Sequence, residues 1–261
     1  MLVFQFMKRQ VQVTDDDMVK ALAVLKDCDS VELKLTVQES DQRSAIMTLG
    51  IDILDAEFRQ VVFFDTPDLK LNRSGLIVRA RRIRGGGDSV VKVRPIVPAK
   101  LSRKLRQKAG FNLEVDAMPG TFVCSGSLKA KVDNSDVKLA LLAKQPIRKL
   151  FSDEQRAFYK QYAPRGLSFD RLMPFGPINV AKLKFTPEDF KRSVAAEVWF
   201  YPDASRILEL STKSGPHETF QVLAELRAFL MGHGITITTK QDTKTRKALH
   251  YFSELHNGRR N

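Results

Sequence analysis

Cysteine is scarce in this chain: Cys28 and Cys124 are the only two in 261 residues. That excludes a disulfide framework, and no CxxC pair is present for zinc or thiol redox chemistry. Histidine is nearly as scarce. His217, His233, His250 and His256 all lie toward the C-terminus, none at metal-motif spacing from a cysteine or carboxylate, which argues against a zinc site. Long apolar runs are missing too. Met1 to Met7 is too short for a signal-peptide core and runs into Lys8 and Arg9, and nothing approaches the ~18 apolar residues of a membrane helix. Internal repeats and low-complexity tracts are also absent. These absences predict a soluble, cytoplasmic protein of a reducing compartment, with no membrane partner.

Positive charge is what the chain has in excess. Lys and Arg number 43 against 30 Asp and Glu, a net charge of +13 and a pI of about 9.8. Such a balance implies an anionic partner: nucleic acid, an acidic membrane surface, or a phosphate-rich small molecule. A hydrophobic fraction of 43% excludes global disorder. The length suits one large domain or two small ones.

The patterning starts helical and then changes period. Thr14 is placed to cap a first helix, with Asp15, Asp16 and Asp17 in its first turn and Val19, Leu22, Ala23 and Leu25 on its apolar face. From Ser30, strand-like alternation takes over: Val31, Leu33, Leu35 and Val37 oppose Glu32, Lys34 and Thr36. The same two-faced pattern recurs around Arg79 and Arg81, Lys92 and Arg94, Glu114 and Asp116, Lys182 and Lys184, Glu197, and Glu209 with Ser211. That makes seven segments, each apolar on one face and charged on the other. Helices are expected at about 41–55, 136–144, from Ser152 (with Gln155 at capping-box spacing) and at 218–231. Residues 163–177, with Pro164, Gly166, Pro174, Gly176 and Pro177, read as a loop.

Other features have ordinary readings. Gly85 to Gly87 follow a strand and precede another, which fits a hairpin turn and neither a Walker nor a Rossmann loop. Trp199, Phe200 and Tyr201 read as strand packing before they read as a base-stacking platform. His217 sits at a turn, and Asp65 before Thr66 and Pro67 reads as a turn cap. The basic run 100–108 is a solvated face or an anion-binding patch open to nucleic acid.

An open sheet would simply turn each charged face to water. Seven such strands carrying both signs suggest another arrangement, a closed barrel with charged residues lining its lumen and helices over its apolar outside. Charges inside a lumen must pair or hold ligands. A polyphosphate with divalent cations would use both signs.

The blocks "VELK" (31–34), "FFDTPDLKLNRSGLIVRARR" (63–82), "SVVKVRP" (89–95), "LELSTKSG" (208–215) and "TKTRKAL" (243–249) resemble the CYTH superfamily, the triphosphate tunnel metalloenzymes, in content, order and spacing. That family includes inorganic, thiamine and RNA triphosphatases and class IV adenylyl cyclases. The resemblance implies an α+β fold, an eight-stranded antiparallel β-barrel tunnel wrapped by helices, over residues 30–250 with a helical insertion at about 133–176. Residues 1–29 would form a strand and helix extension, and 251–261 a basic tail. It implies Glu32, Glu114, Glu197 and Glu209 as ligands of Mg²⁺ or Mn²⁺. Lys34, Arg79, Arg81, Lys92, Lys182 and Lys244 would bind substrate phosphate, and Glu32, Lys34 and Glu209 would serve catalysis. Strand alternation adds Arg94 to the phosphate set. The opening ExExK signature of the family reads Ser30, Glu32, Lys34 here, and its late ExE reads Glu209, Ser211, so two acids are missing.

The function this implies is metal-dependent hydrolysis of tripolyphosphate, a nucleoside triphosphate or thiamine triphosphate. A non-catalytic polyphosphate- or polyanion-binding module with a degenerate metal site is the first rival. A nucleic-acid-binding protein using segment 100–108 and the tail is the second.

Overall fold

The computed structural model describes residue 19, residues 22–237 and residues 243–258. The expected cap at Thr14 and its three aspartates lie outside the described residues. Nine strands form a closed barrel: β1 (Ser30–Val37), β2 (Glu57–Asp65), β3 (Leu76–Ile83), β4 (Gly86–Val93), β5 (Phe111–Met118), β6 (Thr121–Lys131), β7 (Met173–Phe185), β8 (Val194–Phe200) and β9 (Arg206–Ser214). Around the ring their order is β1-β5-β6-β4-β3-β2-β7-β8-β9.

This corrects the expected eight-stranded antiparallel barrel. A closed ring of nine strands cannot alternate direction throughout, because alternation needs an even number. One pair must therefore be parallel, and it is β1 with β5, where Ser30 lies beside Glu114 and Glu32 beside Asp116. Two strands escaped the seven-segment reading. β2 ends in the sequence VVFFD, five consecutive buried residues with no polar face to mark the alternation. β6 places Ser125 and Ser127 on its inward face, small residues that carry no charge signal.

β7 begins at Met173, inside the stretch read as a loop. Its register with β2 shifts between Val61 and Phe63, which accommodates Pro174 and Pro177 in the strand. Gly176 is needed there: its φ is +146°, and a Cβ would sit 2.8 Å from the Val61 carbonyl oxygen.

The outward strand residues are the apolar ones. Val31, Leu33, Leu35 and Val37 of β1 join Val78, Val91, Val115 and Leu210 in one core. Helices cover it: Val137 and Ala140 from Asn134–Leu141, Phe158 and Tyr159 from Asp153–Tyr162, and Val222, Leu226 and Leu230 from Thr219–Gly232. Ser152 and Gln155 form the expected capping box. Gln155, fully buried, also donates through Nε2 to the carbonyls of Ser89 on β4 and Leu128 on β6, fastening its helix to the barrel wall. Asp65 accepts from the backbone N–H of Thr66, Leu71 and Asn72 and so caps the turn after β2.

A second core lies on the inward side. Val61, Phe63, Ile77, Ile178, Val180, Trp199 and Ile207 pack with Ala248, Leu249 and Phe252 of the final helix, Lys244–Gly258. Residues 251–258, set apart in the sequence as part of a basic tail, thus continue a helix that docks on the barrel. Among the described residues no helix is long and apolar enough to cross a membrane.

Candidate functional site

The inward positions of the barrel open into a cavity of about 930 Å³. Its lining holds eleven Lys and Arg but five acids, an excess of positive charge around one cavity. Small inward side chains such as Ser127 and Val90 leave the room that larger ones would fill.

Glu32, Lys34, Arg79, Arg81, Lys92, Arg94, Glu114, Lys182, Glu197 and Lys244 all reach this lining. Glu209 lies just behind it, 2.8 Å from Lys244 Nζ. The alternation of each strand brings these residues inward, and the register sets their neighbours. Glu32 is beside Asp116 on one side and Lys213 on the other, while Lys182, Glu197 and Glu209 stand in a row across β7, β8 and β9.

Two acid groups result. In the first, Glu32, Glu114 and Asp116 bring carboxylate oxygens within 4.8 Å of one another. In the second, Glu197 and Glu209 bracket Lys244, and Lys182 lies 2.7 Å from Glu197. The four acids implied as metal ligands are therefore divided between two places. Sequence reasoning left out several charged residues of the lining, Asp88, Asp116 and Lys213 among them, and Asp116 is the most engaged. It bonds both Lys34 and Lys92, the latter at 2.7 Å, and its signal was present in the alternation of β5, two residues beyond Glu114.

The electrostatics follow from these pairs. Burial works against charge on Glu32, but Lys34 and, from further off, Lys244 outweigh it and hold the carboxyl down at about 2. Asp116 is also opposed by burial, yet Lys34 and Lys92 hold it well below the usual carboxylate range. Glu197 is held down against burial in the same way by Lys244 and Lys182. Lys34 is pushed up because Glu32, Asp116 and Glu209 together overcome its burial. Lys92 goes the other way: it shares Asp116 with Lys34, so burial prevails over a divided counter-charge.

Arg79 stands apart. Among the described residues it has no ion pair, and its Nε is buried without a hydrogen-bond partner. Burial and the neighbouring Arg81 pull its guanidinium down to about 10. A buried cationic donor left open is expensive unless an anion completes it. Arg81 is instead occupied by Asp88 at 2.7 Å.

Ser30 and Ser211 lie on the inward face, where the resemblance implies acids. The Ser30 hydroxyl donates to Glu114 at 3.4 Å and that of Ser211 to Glu32 at 3.3 Å. The chemistry of the Glu32, Glu114 and Asp116 set, three clustered carboxylates, fits a hard divalent cation such as Mg²⁺ or Mn²⁺.

Trp199 offers no stacking platform. It is 2% exposed, packs on Phe63, donates from Nε1 to Glu197 and carries Lys244 over its ring at 5.1 Å. Segment 100–108 gives the cavity no residue, and its Arg106 is engaged with the Asp27 carbonyl.

Solved structures show the same architecture. A candidate adenylate cyclase from Bacillus halodurans matches with a TM-score of 0.58 at 14% identity, covering 83% of this chain and 96% of that one. The barrel has the fold of that structure, in keeping with the CYTH resemblance of the sequence. A Hippeastrum protein described as a candidate adenylyl cyclase with a dominant triphosphatase activity matches this fold with a TM-score of 0.58 at 16% identity, covering 82% of this chain and 92% of its own. No protein-family model matches the sequence, and no curated protein does. The CYTH likeness is thus one of fold, carried by the barrel and by the blocks that line it.

Proposed function

We propose that the cavity binds the phosphate chain of a small triphosphate and, with a divalent cation, hydrolyses it. The observation that carries this reading is Arg79, a half-buried arginine whose buried Nε is uncompleted, in a cavity already rich in positive charge. Arg94 lines the same cavity, also without an ion pair among the described residues. These two arginines would receive phosphate oxygens directly, and Arg81, Lys34, Lys92, Lys182 and Lys244 would complete the grip. A triphosphatase described in a protein of the same fold agrees with this reading.

Glu32, Glu114 and Asp116 would hold Mg²⁺ or Mn²⁺, which when bound polarises a phosphoryl oxygen. The chain's own part is positioning and charge. Its lysines and arginines fix the phosphate chain and offset the negative charge that spreads over the transferred group. Glu32 stays ionised at neutral pH; it accepts a hydrogen bond from an attacking water and orients it, but with a pKa of about 2 it is a poor proton acceptor. Glu209 acts through Lys244, which it holds in the cavity.

The test is phosphate release from tripolyphosphate, ATP and thiamine triphosphate with Mg²⁺ or Mn²⁺. At least one substrate should be cleaved, and Arg79→Met should lower turnover about 100-fold. One observation favours a second reading, a polyanion-binding module without catalysis: serine replaces acid at both Ser30 and Ser211, beside the metal-ligand candidates. Tripolyphosphate that raises the melting temperature yet is never cleaved would establish that reading. Nothing in the geometry favours a nucleic-acid partner.

A further inference from the structure

We infer that cation and phosphate chain enter this site by an exchange of partners: Lys34, Lys92 and Lys213 surrender their carboxylates to the metal and turn to the phosphates, so that each ligand strengthens the binding of the other. This inference rests on the triphosphate reading above and deepens it.

The three acids that cluster for a cation are each already held by an ammonium group. Lys34 contacts Glu32 at 2.8 Å and also Asp116, Lys92 contacts Asp116 at 2.7 Å, and Lys213 contacts Glu114. Three lysines balance three carboxylates. Ser30 and Ser211 bond Glu114 and Glu32 without adding charge, and so preserve that balance.

A cation that takes these oxygens must displace the ammonium groups. Lys34 and Lys92, with side chains 15% and 20% exposed, are costly to strand without a counter-charge, so metal alone binds weakly. A phosphate chain alone meets the opposite obstacle. The lysines are committed to acids, and only uncommitted cations such as Arg79 receive it without breaking a pair. With both ligands present no charge is stranded: metal neutralises the carboxylates, and phosphate oxygens accept from the released ammonium groups. Linkage then requires the strengthening to be reciprocal.

Calorimetry on the full chain tests this with Mn²⁺ and tripolyphosphate as probes, corrected for their complex in solution. In wild type, Mn²⁺ should raise tripolyphosphate affinity about tenfold or more. Mn²⁺ alone should bind Lys92→Met and Lys213→Met about tenfold more tightly than wild type, because a competitor is gone. Lys182→Met removes the same charge but its partner is Glu197, outside the cluster, and it should change Mn²⁺ affinity much less. The side chain of Lys213 is 62% exposed, so its variant folds even if Lys92→Met does not. Equal effects of Lys182→Met and Lys213→Met, or tripolyphosphate binding indifferent to Mn²⁺, would overturn the exchange and leave the triphosphate reading standing. No tripolyphosphate binding with or without Mn²⁺ would overturn both.

Discussion

The two ends of the barrel interior obey one alternation rule and are built for different ends. At one end the inward side chains are Phe63, Ile77, Ile178, Trp199 and Ile207, packed with Ala248, Leu249 and Phe252 of the final helix, and Phe63, Ile77 and Trp199 also form an apolar wall of the cavity. Toward the other, along the same strands and their neighbours, they are Arg59, Arg81, Asp88, Lys129 and Lys131, and they line open space. Apolar side chains exclude water and collapse on one another. Charged ones do so only at a desolvation cost that their mutual attraction barely repays. The filled end therefore supplies stability, and the charged end carries the side chains proposed to bind phosphate, within one continuous wall.

The largest expected effect tests the filled end. Phe252→Ala should cost about 3–5 kcal/mol in urea unfolding, since the side chain is buried on every side. Arg79→Met should leave stability unchanged or slightly higher, because it removes a half-buried charge that makes no direct ion pair among the described residues, while tripolyphosphate no longer shifts the melting temperature. Equal destabilisation by the two variants would break the comparison.

Next in size is Asp116→Asn, which leaves Lys34 and Lys92 short of a counter-charge and should cost about 3 kcal/mol. Acid titration sharpens the same point. Glu32 has a folded value of about 2 against an ordinary 4.5, and Asp116 and Glu197 are depressed as well. Below the ordinary value the unfolded chain binds more protons than the folded one. The contribution of these acids is thus present in full above the ordinary carboxylate range and lost as pH falls toward 2 and below. Urea melts from pH 6 downward should show that loss. Asp116→Asn should flatten the slope, and Phe252→Ala should keep it.

The smallest effect belongs outside the barrel. Arg103→Ala with Lys104→Ala, in the exposed basic segment, should change stability by less than about 0.5 kcal/mol and leave tripolyphosphate affinity alone. A marked fall in that affinity would bring segment 100–108 back into the binding surface.

What was legible in the sequence was whatever alternation makes visible. A charged residue at every second position marks an inward face, and this places Glu32 with Lys34, Arg79 with Arg81, and Lys92 with Arg94. Where both faces are apolar, as at Val61 to Phe64, or the inward residues are small, as at Ser125 and Ser127, the signal vanishes and β2 and β6 go unseen. Partner choice lies beyond a one-strand pattern. Nothing within β5 alone distinguishes Asp116, which joins two lysines from two other strands, from Glu114, which was chosen. The role of the final helix was hidden for a related reason. Ala248, Leu249 and Phe252 form a short apolar stripe whose purpose shows only when the open end of a barrel is there to receive it.

The position of β1 has a consequence for synthesis. It is the seam of the ring, joined to β5 on one edge and to β9 on the other. A chain leaving the ribosome completes the first joint early but waits for residues 206–214 before the second exists. Until then β1 keeps a bare hydrogen-bonding edge, and Glu32 and Lys34 ride on it. No shorter nascent form holds the closed ring, so the proposed site exists only once β9 has joined β1.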